Sequence, residues 1–230
     1  MTPLVLIPGM MCDARLFGPQ IASLSGKRDV HLASLARPGG IVDIALAFLE
    51  TAPPRFALCG LSMGGIVAME ILRQAPDRVD RIALLDTNPL AERDDVKQRR
   101  LPQMQAVREG DLAGVMRDEM KPNYLAEGPR RSDVLDLCMK MALDLGAEVF
   151  LRQSQALMDR GDQTKTLAKA DLPALVLCGR HDTLCPVARH EFMAGLIPNA
   201  HLEIIDDAGH LPTLEQPLQT TAALIRWLEA

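Results

Sequence analysis

The chain has 230 residues, a formal net charge of −5 and no basic run longer than two residues, Arg99-Arg100 and Arg130-Arg131 among them. This argues against a nucleic-acid-binding surface and suits one domain with a sizeable core. No stretch approaches the ~18 apolar residues of a membrane span, the N-terminus lacks a signal-peptide pattern, and five cysteines in no metal-like spacing read as reduced thiols, so a cytoplasmic protein without bound metal is expected.

Leu4-Val5-Leu6-Ile7 reads as a strand of about 3–7, and Pro8-Gly9-Met10-Met11 as the turn that follows. A second strand is expected over about 29–34, ending in Leu35-Ala36-Arg37-Pro38-Gly39-Gly40, with a helix over 41–51 behind it. A third strand over 55–59 runs into Gly60-Leu61-Ser62-Met63-Gly64, and the apolar periodicity then predicts a helix over 63–75. Strand, G-x-S-x-G, helix is the context in which that motif carries chemistry. The turn is so sharp that only glycine fits on either side of the serine, and it lifts the Ser62 hydroxyl above the sheet. A fourth strand over 81–86 ends at Asp86.

Residues 91–165 break the alternation. Leu112, Val115, Met116 and Met120 are spaced i, i+3, i+4, i+8, and Val134, Cys138, Met141 and Leu145 are spaced i, i+4, i+7, i+11. Ala147, Phe150, Leu151, Ser154, Leu157 and Met158 form a third stripe. About four amphipathic helices are expected here, between strands four and five. Six of the 12 methionines fall in this segment, and Met10, Met11 and Met63 flank the serine turn, which suits an adaptable aliphatic pocket. The fifth strand, over 173–178, ends in Gly179-Arg180-His181-Asp182-Thr183-Leu184-Cys185, and a surface helix over 186–197 carries His190. Within that loop Cys185 reads as the most exposed of the thiols. The sixth strand, over 201–205, runs through Asp206-Asp207-Ala208-Gly209 to His210, and a last helix covers 216–229. No cofactor motif is visible, and Gly64-Gly65 belongs to the serine turn.

A serine hydroxyl is a poor nucleophile at neutral pH and needs a histidine base and a carboxylate to orient that base. Of the five histidines, His31 and His201 lie in strand-like runs and His190 on a surface helix. His210 is the candidate base, because a loop at the carboxyl end of a strand can bring it to Ser62. Asp182, on the loop after the fifth strand, is the candidate orienter. Asp86 is its rival, and His181 is the rival base, although adjacent residues rarely point at one place. An oxyanion hole needs two converging backbone N–H groups. Met63, after the serine, and Met10, after the first strand, are the candidates.

These segments resemble the α/β-hydrolase superfamily, in its small esterase, lactonase and enol-ester-hydrolase branch. Leu4 to Phe17 looks like the family's oxyanion segment, Leu58 to Val79 like its nucleophile region, and Pro173 to Pro186 and Ile204 to Pro217 like its acid and base regions. The order Ser62, Asp182, His210 is the family's chain order. Pro8-Gly9 stands where the family commonly has His-Gly. The resemblance implies a mostly or wholly parallel sheet in the order 2-1-3-4-5-6 with helices on both faces. Residues 1–90 and 166–230 would form the core, and 91–165 a helical lid. The crevice would then lie outside the strand ends, where strands one and three diverge.

The function implied is a serine hydrolase acting on a small carboxylic ester or lactone, with no metal or cofactor. A carbon–carbon bond hydrolase, a perhydrolase or a lyase would use the same residues, since fold does not settle chemistry. A haloalkane dehalogenase would need aspartate at position 62. From another class, a ligand-binding homologue could keep all three residues without turnover. The particular substrate and the oligomeric state are not legible in the sequence.

Overall fold

The computed structural model describes all 230 residues. Six strands form one sheet: β1 (Leu4–Ile7), β2 (Val30–Leu32), β3 (Phe56–Leu61), β4 (Val79–Leu85), β5 (Ala174–Gly179) and β6 (Ala200–Ile205). Every pairing is parallel, in the order β2-β1-β3-β4-β5-β6. The register sets Ile7 beside Gly60 and Leu61 beside Leu85. The loops after β1, β3 and β4 therefore leave the sheet at the same edge.

The central strands read as apolar runs because both faces of the sheet are covered. Successive side chains alternate between two cores. Val5, Leu58, Ile82 and Val176 lie in one. Leu4, Leu6, Cys59, Ala83 and Leu175 lie in the other. Helices α1 (Gly18–Leu24), α2 (Ile41–Leu49) and α3 (Met63–Gln74) follow the first three strands. Helix α3 is buried along most of its length, so its apolar residues run all round the helix rather than along one stripe.

Between β4 and β5 lie α4 (Asp94–Arg108), α5 (Leu112–Gly114), α6 (Arg131–Leu145), α7 (Ala147–Met158) and α8 (Thr164–Ala168). The stripe Leu112 to Met120 is not one α-helix. A single α turn widens into a π turn over Val115–Met120 and tightens into a 3-10 turn over Lys121–Asn123. Pro122 lacks an N–H and its ring crowds the preceding turn, so the regular ladder cannot run on. Past β5 come α9 (Val187–Leu196), α10 (Pro212–Glu215) and α11 (Pro217–Glu229). No helix is long and apolar enough to cross a membrane.

Candidate functional site

Gly60-Leu61-Ser62-Met63-Gly64 forms the turn from β3 into α3. Ser62 takes φ 56°, a region L-residues rarely occupy. A Cβ at residue 60 would collide with the Gly64 carbonyl, and one at residue 64 with the carbonyls of Ile7 and Pro8. The two glycines thus let the elbow close against the end of β1. Only two other non-glycine residues have positive φ: Met11 at 54° and Asp86 at 42°. They follow β1 and β4, so all three left-handed residues stand at the carboxyl edge of neighbouring strands. Such strain costs of order 1–3 kcal/mol per residue and clusters where side chains must be aimed.

The structure brings Ser62, His210 and Asp182 together. His210 Nε2 lies 2.9 Å from Ser62 Oγ, and His210 Nδ1 lies 2.8 Å from an Asp182 oxygen. The partners fix the neutral tautomer: Nδ1–H donates to the carboxylate, and Nε2 accepts from the serine hydroxyl. Asp182 and His210 are both buried. Burial works against the Asp182 carboxylate. His210, together with the N–H groups of Cys185 and Leu184, outweighs it and holds the carboxyl below its ordinary range.

Asp86 is near these residues but does not replace Asp182. It is fully buried, and its Oδ1 accepts the Gly179 N–H at 2.9 Å. Its other oxygen has no partner. Burial, then the charge of Asp182, push its carboxyl well above the ordinary range. Of the two carboxyls, Asp86 is the one whose surroundings disfavour the anion, and Asp182 the one whose partners favour it.

His181, His31 and His201 are exposed. The expectation of a surface His190 is corrected: the residue has no exposed area and accepts the Thr87 N–H through Nε2 at 3.1 Å. Helix α9 carries it inward against the loop after β4, and burial lowers its pKa to about 4. Thr87 in turn donates its hydroxyl to the Ser62 carbonyl at 2.7 Å. Cys185, expected as an exposed thiol, is also buried, because the loop after β5 folds back to give its N–H to Asp182.

The Met10 N–H makes no hydrogen bond to another protein group. Met63 begins α3, where helix geometry leaves an N–H without an intrahelical acceptor. A Cβ at Gly9 would stand 3.4 Å from Ser62 Cβ, so the Met10 segment runs directly beside the serine. Gln153 of α7 fixes this segment, accepting the Met11 N–H at 2.8 Å and donating to the Leu35 carbonyl at 3.1 Å. In the sequence it is one of two glutamines beside the apolar stripe of α7, and nothing local separates it from the exposed Gln155. Glu215 was likewise not singled out from the sequence. Its carboxylate accepts the N–H groups of Gly209, Leu211 and Ala126, each at 2.8–2.9 Å.

Asp182, Cys185 and His210 place potential ligand atoms within 4.8 Å of one another. A cation there would have to break the Asp182–His210 hydrogen bond. A groove of about 770 Å³ opens at the opposite, amino-terminal edge of the sheet, between Arg55, Asp80, Lys165 and Pro173. Half of the residues lining it are charged and it holds no nucleophile–base pair, so the chemistry points to the Ser62 end.

A strained serine on a strand–helix elbow, hydrogen-bonded to a histidine that is held by a buried aspartate, on a parallel sheet in this order, is the arrangement of an α/β-hydrolase. The chain belongs to the alpha/beta hydrolase family, whose model matches residues 4–224. It is an enzyme, a hydrolase of the carboxylic-ester class. It is similar to the pimeloyl-[acyl-carrier protein] methyl ester esterase of Nitrosomonas europaea, 26% identical over 94% of this chain and 91% of that one. The protein of the same name from Aromatoleum aromaticum is 28% identical over 74% of this chain and 73% of its own. Among solved structures, a thermophilic esterase from Thermogutta terrifontis, malate bound, has a TM-score of 0.90. It is 28% identical, with all of this chain and 90% of that one covered. The enol-lactonase of Burkholderia xenovorans LB400 shares the fold, with a TM-score of 0.88, 22% identity and coverage of 100% of this chain and 92% of that one.

Proposed function

We propose that Ser62, His210 and Asp182 hydrolyse a small carboxylic ester through an acyl-enzyme. The observation that carries this reading is the unbroken chain of hydrogen bonds from Ser62 Oγ through His210 to Asp182. Ser62 attacks the ester carbonyl while His210 Nε2 takes its proton, and Asp182 stabilises the imidazolium. The N–H groups of Met63 and Met10 receive the negative charge on the carbonyl oxygen. His210 then gives its proton to the departing alcohol, and water, deprotonated by His210, releases the acid. No residue in this scheme calls for a metal or cofactor. The similar esterases above are named for a methyl ester of an acyl group, so methyl esters of short acids are the first substrates to test.

Residues 91–165 serve as a lid in this reading. Three contacts support it: Arg100 of α4 lies against Met10, Gln153 of α7 holds Met11, and the Tyr124 carbonyl accepts the His210 N–H. Fluorophosphonate labelling of Ser62, followed by turnover of a panel of esters and lactones, tests the chemistry. Labelling without turnover would point to a ligand-binding homologue. Tyr124→Ala tests the lid: a changed ranking across acyl lengths supports it, whereas an equal loss on every substrate would mark the segment as structural.

A further inference from the structure

Above Met10 stands a buried ionic cluster that the scheme above does not use. Glu92 bridges two arginines, Arg160 at 2.5 Å and Arg100 at 2.6 Å, and the three side chains are 4%, 7% and 15% exposed. Two guanidinium groups share one carboxylate, which leaves one positive charge over. Buried charges are ordinarily paired, because an unpaired one loses its hydration without compensation.

The excess falls on Arg100. Arg160 is well satisfied: it also donates to the carbonyls of Leu90 and Leu157. Arg100 gives its Nε–H to Glu92. Beyond that bond its Nη1 has only the Met10 thioether, at 3.8 Å. A thioether is a weak acceptor and carries no charge to offset a guanidinium.

The location gives this surplus a meaning. Met10 supplies the proposed oxyanion N–H beside Ser62, so the cation lies one methionine side chain from the place of the ester carbonyl. Tyr124, whose ring centre is 6.2 Å from that of His210, feels the same cation: burial raises its phenol, and Arg100 is the group that lowers it. A largely buried guanidinium with free donors is a fork shaped for a carboxylate.

We propose that Arg100 binds an anionic group at the far end of the acyl chain, so that the preferred substrates are monoesters of dicarboxylic acids. This rests on the hydrolase reading above. A short acyl chain bound at Ser62 would run along Met10 and set its terminal carboxylate on the Arg100 fork, neutralising the cluster. A neutral ester of the same length would leave that charge unpaired.

The test compares monomethyl with dimethyl esters of glutaric, adipic and pimelic acids at neutral pH. Charge-assisted hydrogen bonds of this kind correspond to about tenfold or more in kcat/KM, so the wild-type enzyme should favour the monomethyl ester by that factor at one length or more. Arg100→Gln should collapse the ratio of the two kcat/KM values towards one, chiefly through KM, and Arg100→Lys should keep part of it. A wild-type ratio of one or below at every length overturns the proposal, as does an unchanged ratio in Arg100→Gln. If Arg100→Gln does not fold, the wild-type ratio alone decides. Should no ester be turned over, the hydrolase reading fails on its own, and calorimetric titration with adipate decides the anion site. Binding by wild-type protein that Arg100→Gln or Arg100→Lys weakens upholds it, and no binding by wild-type protein overturns it.

Discussion

The backbone N–H of His210 donates to the carbonyl oxygen of Tyr124 at 2.6 Å, across 86 positions of chain. This bond ties the loop that carries the proposed base to the helical insertion. Glu215 reinforces it by collecting the N–H groups of Gly209, Leu211 and Ala126 on one carboxylate. The insertion and the base loop are thus held as one piece, and the position of His210 depends on residues that take no part in bond making.

Glu215→Ala should therefore strand three N–H groups. At 1–3 kcal/mol for each donor that water does not reach, a loss of about 2–4 kcal/mol is expected in denaturant unfolding. The variant should also lose kcat through a looser His210, and Glu215→Gln, which keeps one acceptor oxygen, should recover part of both. An unfolding midpoint unchanged by Glu215→Ala would show that water replaces the carboxylate freely.

Ser62→Ala should abolish ester turnover, with a loss on the order of 10⁴- to 10⁶-fold in kcat, while leaving the melting curve in place. The hydroxyl accounts for the chemistry, whereas the elbow is shaped by Gly60 and Gly64. A variant that kept a tenth of wild-type activity would remove Ser62 from the reaction.

The two buried aspartates should separate cleanly. Asp182→Asn replaces an acceptor with a group that can donate to His210, favours the wrong imidazole tautomer and should cost roughly 10⁴-fold in kcat. Asp86→Asn keeps an oxygen to accept the Gly179 N–H, in a left-handed position that asparagine tolerates, and it should cost far less. Steady-state kinetics on both variants, with folding verified by circular dichroism, decides the matter. A reversed order would move the orienting acid to the end of β4.

His190 should make stability fall with acid. Its folded pKa, about 4, lies below the unfolded value near 6.5. Between those values the unfolded chain binds the proton and the folded one does not, so stability rises with pH across this window. The contribution is fully present above about pH 6.5 and is lost as the pH falls through about 4. A shift of this size corresponds to roughly 3 kcal/mol. The lowered Asp182 acts in the same direction at lower pH, because its ionised form is the one the fold favours. Denaturant unfolding from pH 7 to 4 should show this slope, and His190→Gln should flatten it. An equal slope in the variant would place the acid sensitivity elsewhere.

What short-range sterics and periodicity control was legible before the chain is folded. The apolar runs of β1, β3 and β5 leave little choice but buried parallel strands. Gly60 and Gly64 fix the turn that exposes Ser62, because a Cβ at either would strike backbone. Asp182 and His210 were legible because each sits just past a strand in a parallel sheet, and such ends gather at one edge. Most of what was not legible in the sequence concerns polar groups whose partners lie far along the chain. Gln153 meets Met11, His190 meets Thr87, and Glu92 holds Arg160. Nothing local marks a glutamine or histidine as buried, since a helix face turns inward only when a neighbour covers it. The broken stripe at Val115–Met120 shows the same limit: its period suited a regular helix, but Pro122 stopped the ladder. Hydrophobic spacing is written within a few residues, whereas the satisfaction of a buried polar group is set by the register of elements that meet only in the folded chain.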